Sequence, residues 1–357
     1  MSILQRYVFR EWLVTLLAVT VVLLIVLMGL FLGELLNDIA DGRVPASLLG
    51  TQMALQVPQA MVNILPLSAF IAVMWGLGRL YRDQEMAVMR SNGFGWRQMV
   101  RPLLALVLPV SVALLLLSYS LAPASATMAD RKLEEAFRSA AVWGLKPGQF
   151  HVMHNGDFVV YVEELGDDGR TLRNIFVEQR NATWDRVWIA RRGAYWMDPA
   201  SGRRFLSLAE GQITDSKPGK SEVRMLTFER NDLQLPEPER QTKGERIEAA
   251  PVSELLARQD PDAVAELQWR ATPAVLALVL GMLAIPLSHS APREGRGSRV
   301  VLGILFYAIY MNTLYLCRGW IVDDILPPFS GLWWVHGVVF LIALLMLQRQ
   351  GRMVGHD

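Results

Sequence analysis

The sequence has one cysteine, Cys317, in 357 residues. Neither a disulfide framework nor a thiolate metal site can form within one chain, so any domain outside the cytoplasm is held by its core alone. Charge is scarce as well: 19% of residues are charged and the formal balance is +1. A basic surface is the usual footprint of phosphate-backbone binding, so nucleic acid is excluded as a partner. Catalytic motifs are missing in turn. There is no G-x-x-x-x-G-K-[ST], so no nucleotide is bound through a P-loop. Neither H-E-x-x-H nor a G-x-S-x-G elbow occurs. His151, His154, His289, His336 and His356 are scattered along the chain, and His151 and His154 would point to opposite faces of a strand. The sequence therefore offers no catalytic residue, no metal site and no cofactor of its own.

What it has in quantity is apolar sequence: 52% of residues are hydrophobic, and the mean hydropathy is +0.26. Runs at about 12–36, 53–77, 102–122, 268–289, 299–318 and 331–348 read as six membrane spans, each able to cross about 30 Å of hydrocarbon as a helix. The first follows Arg6 and Arg10 and is too long for a secretory h-region, so it reads as a retained signal-anchor. Basic residues in the short loops set the orientation. Arg6 and Arg10, then Arg79, Arg82, Arg90, Arg97 and Arg101, then Arg293, Arg296 and Arg299, and finally Arg349 and Arg352 mark alternate segments as cytoplasmic. Both termini are then inside. The carboxylates Glu34, Asp323 and Asp324 fall near span ends rather than mid-bilayer, which leaves a proton relay without its parts. The small-residue run Ala122 to Ala126 reads as the end of the third span.

Between the third and fourth spans, about 124–267, the period of the pattern changes to two. Phe158 to Val162, Leu172 to Glu178, Val187 to Trp196, Arg204 to Ala209 and Val223 to Glu229 alternate as strands, and Asn155-Gly156 between apolar flanks is a hairpin signal. Short strands at regular spacing argue for an antiparallel sandwich or jelly roll. Its apolar faces fit either an ordinary closed core or two sheets that leave a groove for acyl chains. The chain thus divides into 1–123, 124–267 and 268–357.

The loop Gly78 to Arg97 is short, charged and placed between two spans on the cytoplasmic side. A helix over about 82–93 is predicted, with Asp83 as N-cap, Asn92-Gly93 as the left-handed close, and Met86 and Met89 sharing one face. This is the form of a partner-docking element.

Three features together resemble the LptF/LptG family of permease subunits of the lipopolysaccharide export transporter. They are the six spans, the β domain after the third, and the string Leu77-Gly78-Arg79-Leu80-Tyr81-Arg82-Asp83-Gln84-Glu85-Met86 followed by Arg90-Ser91-Asn92-Gly93. Arg6-Tyr7-(x)2-Arg10-Glu11 at the start and Ala284-Ile285-Pro286-Leu287-Ser288 after span four look like that family too, so the similarity runs over essentially the whole chain. The loop looks more like the LptF branch than the LptG branch, whose version is smaller and Ser-rich. The resemblance implies a polytopic inner-membrane protein of a Gram-negative bacterium with six transmembrane helices and a periplasmic β jelly roll. It also implies pairing with the paralogous LptG subunit, a homodimeric cytoplasmic ATPase (LptB) that uses ATP, the single-span LptC and the periplasmic LptA. Lipopolysaccharide would be extracted from the membrane and passed through the β domain to a periplasmic bridge.

On the same resemblance the loop is a coupling helix that docks the ATPase through Arg82, Glu85, Met86, Met89, Arg90 and Gly93, with Glu85 at the acidic contact position. A phosphorylated, multi-acyl lipid asks for cations at an outer rim, where the topology puts Arg43, Arg131, Lys132 and Arg318. Each of these fits either a headgroup contact or an interface anchor among membrane lipids. Two other classes stand beside transport: a scaffold that transmits motion without moving lipid, and a lipid enzyme, which the missing nucleophile, base and metal cluster argue against.

Overall fold

The computed structural model describes residues 2–40, 44–139, 147–153, 157–166, 171–180, 184–197, 204–217, 223–234, 247–258, 260–289, 298–327 and 330–353. Helices α1 (Ile3–Ala40), α2 (Leu49–Arg82), α3 (Glu85–Ser91), α4 (Trp96–Leu116) and α5 (Ala122–Ser139) come first. Strands β1 (Phe150–Met153), β2 (Phe158–Leu165), β3 (Thr171–Arg180), β4 (Asp185–Met197), β5 (Arg204–Ser216) and β6 (Val223–Gln234) follow. Helices α6 (Val252–Arg258), α7 (Pro261–Leu287), α8 (Ser298–Val322) and α9 (Trp333–Met353) complete the chain. There are two compact units. One holds Met1–Gly33, Thr51–Ala129 and Arg246–Asp357; the other holds Glu34–Gly50 and Asp130–Glu245.

Among the described residues five helices are long and apolar enough to cross a membrane, and a shorter apolar helix, Trp333–Arg349, occupies the place of the sixth predicted span. In the helical unit α2 and α7 are central, with 67% of their apolar windows buried, against 11% for α1 and 22% for α8. Phe70, Met74, Leu77, Leu280 and Leu314 lie in this core. The outward positions of α1 and α8, such as Leu17, Val21, Ile25, Leu305 and Ile309, are apolar too, which suits a surface facing hydrocarbon.

Two predicted boundaries shift. Span four begins at Pro261 rather than near 268, because the Asp260 carboxylate accepts from the Ala263 N–H at 2.7 Å and caps the helix there. That bond holds the Asp260 carboxyl below its ordinary pKa. The run Ala122 to Ala126 is not a helix end. Leu117–Leu121 forms a single π turn, and the helix resumes as α5. Pro123 lies inside one continuous helix, Trp96–Ala136, directly after the π turn, whose wider ring locally re-sets the ladder where the proline N–H is missing.

The strands form one antiparallel sheet in the order β1-β2-β3-β4-β5-β6. The predicted jelly roll is not confirmed: among the described residues every strand pairs with its neighbour in sequence, which makes a meander. Strand alternation is the same in both topologies, so the pattern alone could not separate them. The Asn155-Gly156 turn lies outside the described residues, and the strands on either side of it pair at Met153 and Phe158.

One row of the sheet breaks the alternation. The register skips the positions Glu163, Asn174, Arg191, Glu210 and Glu229, which lie opposite one another across β2 to β6. Asn174 and Glu210 have left-handed φ of 48° and 57°. Two successive residues then avoid the core: Glu163-Glu164, Arg173-Asn174, Arg191-Arg192 and Glu229-Arg230 are exposed. Beyond this crease the apolar positions change parity, yet both sides feed one core. Val160, Val162, Ile175, Val177 and Trp188 lie on one side, and Leu172, Leu206 and Leu208 on the other. The two sides approach closely at Gly193, where a Cβ would run into the Ile175 side chain. At the margin, Arg186 holds Asp215 with one hydrogen bond at 3.0 Å and a second contact, which lowers the Asp215 pKa. Asn174→Val, a β-branched residue at left-handed φ, is expected to cost about 1–2 kcal/mol. Thermal unfolding followed by circular dichroism measures this; an unchanged transition would show that the crease carries no such strain.

Candidate functional site

The candidate site is the connection between α2 and α4, and its geometry begins with the turn at Gln84. Asp83 was the sequence's N-cap; the structure instead places Gln84 at the cap, with φ 59° and no side-chain cap bond. Asp83 pairs with Arg82 at 3.4 Å, and both are exposed. The left-handed residue reverses the chain sharply, so that α3 starts at Glu85. At the other end Gly93 has φ 77°, its N–H reaches the Arg90 carbonyl at 2.9 Å, and the Phe94 N–H reaches the Met89 carbonyl at 2.9 Å. This pair of bonds is a Schellman close, sealed by the buried Phe94 ring.

The burial of α3 corrects the predicted docking face. Met86 and Met89 do share a face, but they are 1% and 5% exposed within this chain's own core. They hold the helix down against this chain's own core. The outward face is instead Ala87, Val88 and Ser91, with Val88 64% exposed. Arg90 is also committed inward, donating to the Tyr81 hydroxyl at 2.8 Å and lying over its ring at 5.3 Å. Tyr81 in turn meets His289 edge-on at 5.3 Å.

Glu85 is half-buried at the base of α3, and Oε2 accepts a hydrogen bond from the Tyr7 hydroxyl on α1 at 2.9 Å. That hydroxyl accepts from Arg79 Nη2 on α2, also at 2.9 Å. Arg79 Nε stands 3.1 Å from Glu11 Oε1, an ion pair not aligned as a hydrogen bond. The sequence named Tyr7 and Glu11 only within the opening Arg6-Tyr7-(x)2-Arg10-Glu11 motif and did not assign them to the site, because hydropathy places them in the lead-in to a span. Nothing in a one-dimensional pattern brings them to Glu85.

A second polar cluster lies at the start of α7. Glu266 and Arg270 are each 3% exposed; Arg270 Nε donates to Glu266 Oε1 at 2.9 Å, and Arg318 Nη2 donates to Oε2 at 2.9 Å. Arg270 Nη2 also donates to the carbonyls of Ile247, Glu248 and Ala250 at 3.1, 3.0 and 2.8 Å. Arg318 lies 5.0 Å from the centre of the Trp269 ring and 3.7 Å from Glu248. The predicted rim cation Arg318 is thus an internal partner. Of the other three, Lys132 pairs with Glu135 at 2.8 Å, Arg131 is exposed on α5, and Arg43 lies outside the described residues. The i, i+4 spacing of Glu266 and Arg270 was the available signal for this cluster.

A family model described as "Lipopolysaccharide export system permease LptF/LptG" matches residues 6–349. The chain belongs to the LptF/LptG family. The lipopolysaccharide export system permease protein LptF of Escherichia coli strain K12 is 24% identical over 347 residues, covering 96% of this chain and 94% of that protein. The LptF of Shigella flexneri gives the same identity and coverage. An LptF/LptG permease of the lipopolysaccharide export system is a transport subunit. The apolar helices and the family together fit a multi-pass inner-membrane protein.

Proposed function

We propose that this permease is the LptF-type half of an ATP-driven exporter that extracts lipopolysaccharide and passes it through its β domain to a periplasmic bridge. Its partners are a paralogous LptG subunit, the homodimeric cytoplasmic ATPase LptB, the single-span LptC and the periplasmic LptA. ATP is bound and hydrolysed on LptB, in keeping with the lack of a P-loop here. The LptF assignment rests on the form of the loop and on the LptF relatives. On this reading both termini face the cytoplasm and the sheet faces the periplasm, the orientation that the arginine count favours.

The observation that carries the ATPase-docking role is α3 itself. It is a single short helix anchored by Met86 and Met89, closed by Gly93, and left with Val88 and one edge of Glu85 outward. On this reading α3 is the coupling helix, and Glu85 makes a charge-assisted hydrogen bond to a cation of LptB. Arg82 offers its own exposed charge beside it. Glu85→Ala is expected to weaken ATPase docking by about 1.5–3 kcal/mol. Binding of purified LptB to the reconstituted permease, together with lipid release, measures it; unchanged docking and export would sink the role. The scaffold reading differs in one outcome: ATP-dependent movement with no lipid transferred to the bridge.

A further inference from the structure

The way Glu85 is held differs from an ordinary surface ion pair. Arg79 could have neutralised it directly. Instead the guanidinium is spent on Glu11 at 3.1 Å, and a phenol stands between Arg79 and Glu85. A guanidinium placed on a carboxylate fixes its direction and cancels its charge; a neutral hydroxyl fixes the direction and leaves the charge in place. Tyr7 has few rotatable bonds, and its hydroxyl is polarised by Arg79, so it presents a stiff donor from another helix. The Tyr7 bond is the one hydrogen bond to the Glu85 side chain among the described residues, and it uses Oε2. Oε1 keeps its acceptor capacity.

We propose that Tyr7 is a positioning residue for Glu85: it aims the carboxylate with a neutral donor and so leaves its charge without a direct ion pair, available to an arginine or lysine of the docking ATPase. This rests on the docking role given to Glu85 above. It also ties α3 to α1 and α2, so the same three-residue relay joins the docking helix to two spans.

The test uses the full-length chain, reconstituted with its paralogous subunit in nanodiscs and titrated with purified ATPase. Tyr7→Phe removes the hydroxyl and keeps the ring, and is expected to weaken binding about threefold to tenfold, the range of one exposed hydrogen bond. In a Glu85→Ala background Tyr7→Phe is expected to add nothing, because there is no carboxylate left to aim. Tyr7→Lys keeps a donor but brings a charge, and is expected to weaken binding at least as much as Tyr7→Phe. The inference is overturned if Tyr7→Phe weakens binding equally with and without Glu85, which marks a structural role. It is also overturned if Tyr7→Phe binds normally while Glu85→Ala does not, or if Tyr7→Lys binds as the native chain does. Normal binding by Glu85→Ala removes the docking role itself, a separate result. Size-exclusion profiles of each variant in the nanodisc establish that the fold is kept.

Discussion

Replacing Glu266 with alanine is expected to cost the folded chain about 3–5 kcal/mol, the penalty of stranding a buried charge. Each Glu266 oxygen serves one arginine, at 2.9 Å in both cases. The two arginines would not suffer equally. Arg318 retains Glu248 at 3.7 Å and the Trp269 face, and its side chain is 22% exposed, so it can turn toward water. Arg270 has no such exit: its side chain is 3% exposed, and three carbonyls of the 247–250 segment grip Nη2. Its Nε would then point at a cavity, beside an Nη1 that already lacks a hydrogen-bond partner among the described residues. Unfolding of the purified chain in detergent, with limited proteolysis around Ile247 to Ala250, measures the effect. A loss below about 1 kcal/mol would mean that Arg270 reaches water, as exposed pairs do.

Trp12→Ala is expected to have an effect of the same order, about 3–5 kcal/mol, for a different reason: it opens a cavity. Trp12 is fully buried, and its indole lies against Gly76, where a Cβ would come within 2.6 Å of Cδ1 and 2.9 Å of Nε1. Glycine at 76 is what lets α1 and α2 approach closely enough to enclose the ring. Trp12→Phe should be far milder, within about 1–2 kcal/mol, because the smaller ring leaves less void and also removes a buried N–H that has no partner among the described residues. The pair of variants separates packing from polarity. Equal losses in the two would contradict a cavity mechanism. Tyr7 and Glu11 belong to the same helix as Trp12, so Trp12→Ala should also loosen the relay to Glu85, read as weaker ATPase docking.

Much of the architecture was legible because hydropathy and alternation are local. Spans two and four could be placed from their apolar runs, and five of the strands from their period and turns. Sheet order was not legible, since a meander and a jelly roll use identical strand patterns. The crease left a trace, the polar doublets Glu163-Glu164, Arg191-Arg192 and Glu229-Arg230, which read as mere interruptions of alternation until they align across strands. At the candidate site the helix and its glycine close were readable from spacing. The inward turn of Met86, Met89 and Arg90 was not, because a face shared by two side chains does not say which way it looks. Arg318 was misjudged for the same reason: its partner Glu266 lies 52 residues away in sequence.

The aligned row through Glu163, Asn174, Arg191, Glu210 and Glu229 gives the sheet unequal stiffness in two directions. Along each strand the covalent backbone resists stretching, and across strands the ladders on either side of the row resist shear. About the row itself the ladder pairs are missing and the polar doublets are exposed, so no ladder bond resists bending there. What joins the two sides across the row is therefore side-chain packing, the shared core with Gly193 against Ile175, rather than ladder pairing.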